Sequence, residues 1–537
     1  MREKENRFVM ETSQRLLASG NEAIAMAAFD SGVALGAGYP GTPSSEILET
    51  LSALGGRAEW APNEKAALEV AIGVAFANCR ALTTMKHVGL NVAADPLFTI
   101  AYSGTPGGLA VVSADDPGMA SSQNEQDNRR YAVAAGVPML EPSDSQEAYD
   151  FTRRAFELSE KFRRPVLLRV TTRVCHSKCA LTRRAPAAPG EARFDKDPKS
   201  NVMIPAYARI AHRKLRAALH ELETLNETGE FTRRIDGSRE LGIITSGISF
   251  QHVRDAAPEA SVLKLGMTYP LPMETIRAFA GSVKRCVVVE EGDPVLADAI
   301  RAAGIAVESK AEMYRFGELN VGRVRRILAN DLSPEPAPAP GKPPQLCVGC
   351  PHRRAYEVLR DCNCIVSGDI GCYTLGVLPP FEAVDTCVCM GASVTVGLGL
   401  RHALPEKEAR RVVSVIGDST FLHTGINGIV EMVYNRPATG HVVVILDNRI
   451  TAMTGLQEHP GTGRLLDHTP APTPVSIEKI LHGIGVDHVD ICDPTLDKAG
   501  FRKVLEERLA SDDCSVIICR RPCILGAVKA KSYEEKK

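Results

Sequence analysis

Two polar side chains follow apolar segments in the C-terminal third of the 537-residue sequence. Asp418 comes directly after the run VVSVIG (412–417), and Asn448 closes the run HVVVILDN (441–448). Both runs are typical of buried parallel strands, whose carboxyl ends meet at the ligand-binding edge of a sheet. Carboxylate and amide oxygens at that edge suit Mg²⁺, and Gly417 allows the backbone to approach a diphosphate closely. The alternative is that both side chains only cap the turns after the strands, where Asp and Asn are common.

Cysteines give the second chemical signal, and the sequence has fifteen of them. An odd number in a long chain without a secretory signal argues against a disulfide framework. Closely spaced pairs occur at Cys347/Cys350, Cys362/Cys364 and Cys387/Cys389. A CxxC pair is compatible with an iron–sulfur cluster, half of a zinc site or a redox-active disulfide, and the other cysteines can be small buried apolar residues.

The segments that would position these residues alternate between strands and helices. Apolar runs such as LAVVSA (109–114), LGIITSG (241–247) and CVVVE (286–290) predict strands that are covered on both faces. The segment NEKAALEVAIGVAFAN (63–78) predicts a helix between strands. This alternation favours an α/β fold with doubly wound parallel sheets.

Two segments rich in proline and charge divide the chain. LSPEPAPAPGKPP (332–344) contains six prolines and predicts a stiff linker, and RRAPAAPGEARFDKDPKSNVMI (183–204) marks a second break. The predicted organisation is a domain at 1–182, a connecting segment at 183–235 with a basic helix near 205–226, a domain at 236–331, a linker at 332–345 and a domain at 346–537.

Composition excludes several classes of function. The chain is 44% hydrophobic and 24% charged with a formal net charge of −2, so it lacks the basic excess expected of a protein that binds nucleic acid or a membrane surface. The charged N-terminus MREKENRFVMETSQRLL has no apolar core for a signal peptide, and no apolar run reaches the roughly 18 residues that span a bilayer. We expect a cytoplasmic protein.

The GD pair at 417–418, followed about thirty residues later by the DN pair at 447–448, resembles the motif of thiamine-diphosphate enzymes. That resemblance implies Mg²⁺ ligands from Asp418, Asn448 and the carbonyl of Ile450. It also implies cofactor contacts from Gly417 and Ser419, and Ser419 stands where that family usually has glycine.

Thiamine-diphosphate enzymes also need a glutamate that activates the aminopyrimidine ring of the cofactor, which a buried carboxyl group with a raised pKa does best. Glu64 begins the predicted helix in EWAPNEKAALEVAIG (59–73), and the NEKAA pattern resembles the activating segment of that superfamily. Glu59 and Glu69 are the other candidates. The structural alternative is an ordinary first-turn glutamate that is favoured by the helix dipole.

Long segments resemble one family more closely. They are GYPGTPSSEI (38–47), MKHVGLNVAADPL (85–97), SADDPGMASSQNEQDNRR (113–130), CVGCPHR (347–353) and DIGCYTLGVLPPFEAVDTCVCMGAS (369–393). Together they resemble the large, or alpha, subunits of indolepyruvate ferredoxin oxidoreductases, which belong to the 2-oxoacid:ferredoxin oxidoreductases. The resemblance implies two doubly wound thiamine-diphosphate domains, one pyrimidine-binding and one diphosphate-binding, with a smaller transketolase-C-like α/β domain between them.

The resemblance also assigns residues. It places Thr42 near the carboxylate of the substrate, where the alternative is a turn residue between two prolines. It places His87, with Lys86 and Asn91, near the pocket, where a histidine can equally be a satisfied core residue. Arg129 would pair with an anion of substrate or coenzyme A, or lie in a surface ion pair. The same resemblance makes His352, in CVGCPHR, a cofactor-binding residue.

The family resemblance gives the cysteines a role as ligands of one [4Fe–4S] cluster. The matching positions are Cys347, Cys350, Cys372 and Cys523, and a cysteine of either CxC pair is the alternative to Cys523. The family's large subunit usually ends in a ferredoxin domain with two CxxCxxCxxxCP runs. The sequence ends in GAVKAKSYEEKK without such a run, so we expect a partner chain or a separate acceptor to carry the electrons onward.

By resemblance, the reaction is the oxidative decarboxylation of an aryl 2-oxo acid such as indolepyruvate to an acyl-CoA, with ferredoxin or another protein as electron acceptor. A small, or beta, subunit would be an obligate partner. Two other functions remain open at this point. One is a non-oxidative thiamine-diphosphate decarboxylase of 2-oxo acids, and the other is a catalytically silent partner subunit.

Overall fold

The computed structural model describes residues 15–187, 190–336 and 344–534. The chain forms two compact units, Met1–Pro336 and Ala337–Lys537. Residues 337–343 of the predicted linker, and the N-terminal residues 1–14, lie outside the described residues. Within the described part of the chain, no helix is long and apolar enough to cross a membrane.

Strands of the first unit recur along its whole length. In the described residues they are β1 (Arg15–Ser19), β2 (Leu35–Gly38), β3 (Ala58–Trp60), β4 (Ala81–Lys86), β5 (Leu109–Asp115), β6 (Met139–Leu140), β7 (Val166–Thr171), β8 (Lys178–Thr182), β9 (Thr232–Ile235), β10 (Ser238–Ser246), β11 (Ala260–Leu265), β12 (Met267–Tyr269), β13 (Arg285–Val289) and β14 (Glu308–Ser309).

Helices separate most of these strands, as the sequence pattern predicts. In the same residues they are α1 (Gly20–Asp30), α2 (Ser45–Ala53), α3 (Glu64–Phe76), α4 (His87–Val92), α5 (Ala94–Ser103), α6 (Arg129–Ala135), α7 (Ser145–Phe162), α8 (Thr172–His176), α9 (Pro198–Asn201), α10 (Pro205–Glu227), α11 (Ser249–Ala256), α12 (Met273–Gly281), α13 (Val295–Ala302) and α14 (Val321–Leu328), with a 3₁₀ turn at Glu312–Tyr314.

The first unit contains two main sheets. The larger has the strand order β12-β6-β7-β5-β4-β2-β3, in which the neighbours from β6 to β3 run parallel. Every residue of β4, β5 and β7 is buried, because both faces of these strands are covered. Their sequences therefore do not alternate between apolar and exposed polar residues. The smaller sheet has the order β14-β13-β10-β11-β9, and only its edge strand β9 runs antiparallel. Strands β1 and β8 form a separate antiparallel pair.

Strand β12 links the two predicted regions of the first unit. It belongs to the middle region of the sequence, yet it pairs antiparallel with β6 at the edge of the larger sheet, with Tyr269 opposite Met139. The predicted regions 1–182 and 236–331 therefore lie in one compact unit, and their exact bounds stay predictions.

The second unit contains one sheet with strand order β16-β15-β17-β18-β20-β19, and all of its neighbouring pairs are parallel. In the described residues its elements are α15 (His352–Asp361), β15 (Ile365–Gly368), a 3₁₀ helix (Cys372–Val377), β16 (Thr386–Cys387), α16 (Ala392–Ala403), α17 (Glu406–Ala409), β17 (Val412–Gly417), α18 (Asp418–Thr420), a π-helical turn (Phe421–Gly425), α19 (Ile426–Tyr434), β18 (His441–Asp447), α20 (Ile477–Ile484), β19 (His488–Cys492), α21 (Lys498–Ala510), β20 (Cys514–Arg520) and α22 (Ile524–Glu534).

Both faces of this second sheet are covered. Val413 and Val415 of β17 pack into one buried cluster with Tyr356 of α15, whereas Ile416 packs into another cluster on the opposite face. This alternation follows from the two-residue period of a strand. The predicted fold class, α/β with doubly wound parallel sheets, is confirmed.

Candidate active site

Asp418 lies at the edge of the second sheet where the sequence predicted it. β17 ends at Gly417, and its parallel neighbour β18 ends one residue before Asn448. The Asp418 carboxylate is 2% exposed, and its Oδ2 accepts hydrogen bonds from the backbone N–H of Arg449 (2.8 Å) and from Nε2 of His459 (3.1 Å). The two strand ends are therefore joined through this carboxylate.

Burial acts to raise the pKa of Asp418, but the His459 ring and the other donors around the carboxylate hold that pKa below its ordinary value. Asp418 is thus an anion inside the protein. His459 is 5% exposed, and its Nδ1 accepts a hydrogen bond from the backbone N–H of Gly461 (3.2 Å). The sequence analysis missed His459, because it lies in the irregular segment after β18, where no periodic pattern marks it.

Asn448 joins a second set of residues. Its Nδ2 donates to Nε2 of His352 (3.2 Å), and its Oδ1 accepts from the backbone N–H of Ile450 (3.1 Å). His352 is buried, which lowers its pKa to about 4, so the neutral ring is the acceptor. The structure therefore brings the predicted residues Asp418, Asn448, Ile450 and His352 into one turn region.

Ser419 and Gly417 flank the carboxylate. Ser419 donates its backbone N–H to Oδ1 of Asp418 (2.9 Å), and its hydroxyl lies 2.8 Å from that of Thr451. A Cβ added at Gly417 would lie 2.5 Å from the Tyr373 ring. Close packing against Tyr373 is thus a second reason for a glycine, beside the predicted approach to a diphosphate.

Asp447 is a second carboxyl group beside Asp418 at this edge of the sheet. Its Oδ1 is buried, accepts no hydrogen bond from the described residues and lies 3.4 Å from Nε of Arg449, and its Oδ2 accepts from Nε of Arg520 (2.6 Å). Burial and the neighbouring charge of Asp418 raise the pKa of Asp447. The buried Asp418 carboxylate, held ionised by its donors, fits a bound cation, for which Asp418, Asn448 and Ile450 are the predicted protein ligands. Among the described residues, no group of three or more His, Cys, Asp or Glu side chains is arranged to hold a metal ion, and the Mg²⁺ ligand set stays a prediction.

The four predicted cluster cysteines are neighbours in the second unit. Burial and, to a smaller extent, the charges of Cys347, Cys372 and Cys523 raise the pKa of Cys350 to about 11. Cys372 also reaches about 11, through burial and the charges of Cys523 and Cys347. All four are free thiols, and among the described residues no group of three or more cysteines is arranged to hold a metal ion, so their role as cluster ligands stays a prediction.

One hydrogen bond connects Cys523 to the turn that contains Asn448. The backbone N–H of Cys523 donates to the carbonyl of Asn448 (2.9 Å). The other CxC pairs have different surroundings: the charges that act on Cys364 come from Cys362 and Arg411, and burial and Asp369 raise the pKa of Cys389. The choice between Cys523 and a cysteine of either CxC pair as the fourth ligand stays a prediction.

Glu64 is the buried acid of the first unit. It is the first residue of α3 and is 5% exposed, and the N-cap residue Asn63 accepts from the backbone N–H of Ala66 (2.8 Å). Of the other candidates, Glu59 is half-buried, and Glu69 is exposed in an ion pair with Lys65. Burial thus separates Glu64 from both.

Thr42 and His87 follow the ends of β2 and β4, which are neighbours in the larger sheet. Thr42 is half-buried in a loop whose Gly41 packs against the Lys86 side chain, since a Cβ at Gly41 would lie 3.1 Å from Cβ of Lys86. His87 is 0% exposed, and its Nε2 donates to the carbonyl of Asn124 (3.1 Å). The structure thus places His87 in the protein interior, and a direct catalytic role for it stays a prediction.

Arg129 is neither at the surface nor available to an anionic ligand. It is 2% exposed and donates to carboxylates of Asp127 (2.5 Å) and Glu290 (2.6 Å). The predicted ion pairing of Arg129 is therefore present, but its predicted position at the surface was wrong, because Arg129 and its carboxylate partners are buried. The buried ion cluster around it consists of Arg129, Arg169, Asp115, Asp127, Glu141 and Glu290.

Two further ionisable groups border this buried ion cluster. Glu291 is 4% exposed, and its Oε1 accepts from the backbone N–H of Leu319 (3.0 Å). Burial raises the pKa of Glu291 to about 7 and lowers that of Lys310 to about 8. Lys310 donates to the carbonyl of Glu290.

Two family models match the chain. Residues 26–202 match the model described as "Pyruvate flavodoxin/ferredoxin oxidoreductase, thiamine diP-bdg", and residues 369–519 match "Thiamine pyrophosphate enzyme, C-terminal TPP binding domain". The indolepyruvate oxidoreductase subunit IorA of Archaeoglobus fulgidus is 41% identical over 97% of the chain and 89% of its own length. The chain belongs to the IorA family of indolepyruvate oxidoreductase subunits.

Other comparisons agree with membership in the IorA family. The IorA protein of Methanothermobacter thermautotrophicus is 41% identical, covering 96% of this chain and 88% of its own length. The solved 2-oxoglutarate:ferredoxin oxidoreductase from Magnetococcus marinus, with 2-oxoglutarate, coenzyme A and succinyl-CoA bound, has a TM-score of 0.51 at 19% identity. The match covers 60% of this chain and 66% of that one, and it shows a shared fold.

These findings confirm the family resemblance and make this IorA-family chain an oxidoreductase subunit that binds thiamine diphosphate.

Proposed function

We propose that this IorA-family chain is the large subunit of an enzyme that oxidatively decarboxylates an aryl 2-oxo acid of the indolepyruvate type. The products would be carbon dioxide and an acyl-CoA one carbon shorter, and two electrons per turnover would leave through one [4Fe–4S] cluster. The observation that carries the proposal is the backbone hydrogen bond from Cys523 to Asn448, which joins the cysteine set to the turn that fits a cation.

The diphosphate end of the cofactor is assigned to the turn region of the second unit. Asp418, Asn448 and the carbonyl of Ile450 would hold Mg²⁺, and Gly417, Ser419 and His352 would contact the cofactor. His459 supports this set, because its hydrogen bond fixes the orientation of the Asp418 carboxylate.

The pyrimidine end of the cofactor is assigned to the first unit. Thiamine diphosphate, when bound, supplies an electron sink for the decarboxylation of a 2-oxo acid. Glu64 would hydrogen-bond a ring nitrogen of the aminopyrimidine through its carboxyl group, a role that its burial at the start of α3 supports. Thr42 would bind the carboxylate of the substrate through its hydroxyl.

The four cysteines give the electrons an exit. Cys347, Cys350, Cys372 and Cys523 would hold the cluster as thiolates, and ferredoxin or another protein would accept the electrons. A small subunit would complete the enzyme, and we place the assembly in the cytoplasm. Support comes from the family membership and from the electrostatic influence of Cys347 and Cys523 on both Cys350 and Cys372.

The proposal is tested by purifying the chain anaerobically with its small subunit and measuring iron and acid-labile sulfide. We expect about four of each per chain from the cluster, with broad brown absorbance. We expect Cys523→Ser to lose most of the iron, whereas Cys389→Ser, the control, retains it. An iron-free preparation that still releases carbon dioxide from indolepyruvate would overturn the oxidative function in favour of a simple decarboxylase. Absence of any turnover with bound thiamine diphosphate would favour a silent subunit.

A further inference from the structure

Gly89 of α4 faces the side chain of Glu64. A Cβ added at Gly89 would lie 2.7 Å from Cγ and 2.8 Å from Cδ of Glu64, and nearer still to Oε1. Atoms in ordinary contact are at least 3.4 Å apart, so this position has no room for a side chain while Glu64 keeps its place. The Glu64 carboxyl group therefore rests directly on the backbone of α4.

The backbone of α4 does not itself require a glycine here. Gly89 is not among the residues with positive φ, and alanine favours a helix more than glycine does. A glycine inside a helix is usually unfavourable because of its conformational freedom. The space occupied by Glu64 accounts for this glycine where the helix geometry does not.

Polar side chains hold α4 in place from the direction of the segment 124–128. Gln126 Nε2 and Asn128 Nδ2 both donate to the carbonyl of His87, at 3.1 and 3.0 Å. His87 Nε2 donates back to the carbonyl of Asn124. Asn128 is fully buried, and its backbone N–H donates to Asp115 (3.2 Å) at the end of β5. The first turn of α4 is thus tied to the larger sheet and cannot easily move away from Glu64.

We propose that Gly89 is a positioning residue for the activating carboxyl group, and that the bonds from 124–128 to His87 keep it in position. This inference rests on the proposed role of Glu64. Under this proposal, buried His87 contributes to the site indirectly. Its ring and its carbonyl group form hydrogen bonds that fix the start of α4, and the ring does not contact the substrate.

Gly89→Ala should displace the Glu64 carboxyl group by about 1 Å, a misplacement that can cost on the order of 100-fold in rate. The direct measurement is hydrogen–deuterium exchange at C2 of the thiazolium ring, in the assembled enzyme loaded with thiamine diphosphate and Mg²⁺. We expect exchange in Gly89→Ala to slow by 10-fold or more, on the order of the loss in Glu64→Gln. Gly73→Ala is the matched control, because Gly73 lies in α3 and an added Cβ there meets nothing within 4 Å.

A second readout needs no cofactor. In the apo-enzyme, Gly89→Ala should lower the Tm when Glu64 is present and should not lower it in a Glu64→Ala background, where the overlap is gone. Equal Tm changes in both backgrounds would overturn the proposed contact.

The exchange measurements distinguish the role of Glu64 from the positioning role of Gly89. Wild-type exchange in Gly89→Ala, together with slow exchange in Glu64→Gln, would overturn the positioning role of Gly89 alone. Wild-type exchange in Glu64→Gln would overturn the proposed role of Glu64 and the inference that rests on it.

Discussion

Replacing Glu291 by glutamine should change how the stability of the first unit depends on pH. Burial raises the pKa of Glu291 from 4.5 to about 7, whereas its Oε1 accepts a hydrogen bond from the backbone N–H of Leu319. Arg169 and Lys310 favour the charged form, and Glu318 opposes it. Glutamine keeps an acceptor oxygen and resembles the neutral acid, so Glu291→Gln removes the titration without emptying the site.

The direction of the change in stability with pH follows from proton linkage. The folded state binds the Glu291 proton more tightly than the unfolded state does, so the stabilisation is complete below pH 4.5 and is lost as pH rises through about 7. The full loss is about 3 kcal/mol in the free energy of unfolding, and about 1 kcal/mol of it falls between pH 6 and pH 8. Relative to the wild type, Glu291→Gln should therefore gain about 1 kcal/mol over that interval, or a few degrees in Tm.

Calorimetric melts of the full chain at pH 6 and pH 8 measure this difference. Glu290→Gln is a useful neighbour for comparison, because it breaks the 2.6 Å ion pair with buried Arg129 and should cost about 3–5 kcal/mol of stability at both pH values. Parallel Tm changes of wild type and Glu291→Gln between pH 6 and pH 8 would contradict a raised pKa at Glu291.

Two further predictions concern the second unit. Tyr356→Phe should leave the apo-protein as stable or more stable by about 1 kcal/mol in urea melts, because the buried Tyr356 hydroxyl has no hydrogen-bond partner among the described residues; a loss above about 2 kcal/mol would show that the hydroxyl forms a hydrogen bond. His459→Ala should weaken thiamine diphosphate binding at limiting Mg²⁺ by about 10- to 100-fold in titration calorimetry, because Asp418 loses a fixing hydrogen bond. The exposed His482 of α20 provides the control variant His482→Ala, and equal affinities of both variants would contradict a supporting role for His459.

Residues at strand ends were predictable from the sequence. Asp418 and Asn448 each follow an uninterrupted apolar run, and parallel strands place such ends together whatever the rest of the chain does. Glu64 was predictable for a related reason, since its helix follows a strand of the larger sheet. Local pattern predicted where these three residues lie, whereas the activating role of Glu64 was inferred from the family resemblance.

Residues whose environment depends on distant segments were not predictable. The burial of Arg129 depends on Glu290, which lies 161 residues further along the chain. His459 reaches Asp418 from an irregular segment. The need for a glycine at position 89 is visible only once the fold places the Glu64 side chain against it. In each case the deciding partner is set by tertiary packing, which has no period in the sequence.

Strand β12 has a consequence for how the chain is made. Its Tyr269 pairs with Met139, so the edge of the larger sheet at β6 stays without its antiparallel neighbour until the middle region has left the ribosome. At ordinary rates of synthesis that interval is on the order of ten seconds. During it the nascent first unit presents an unpaired edge strand, the kind of surface that recruits other chains, and it is where a chaperone would have most to protect.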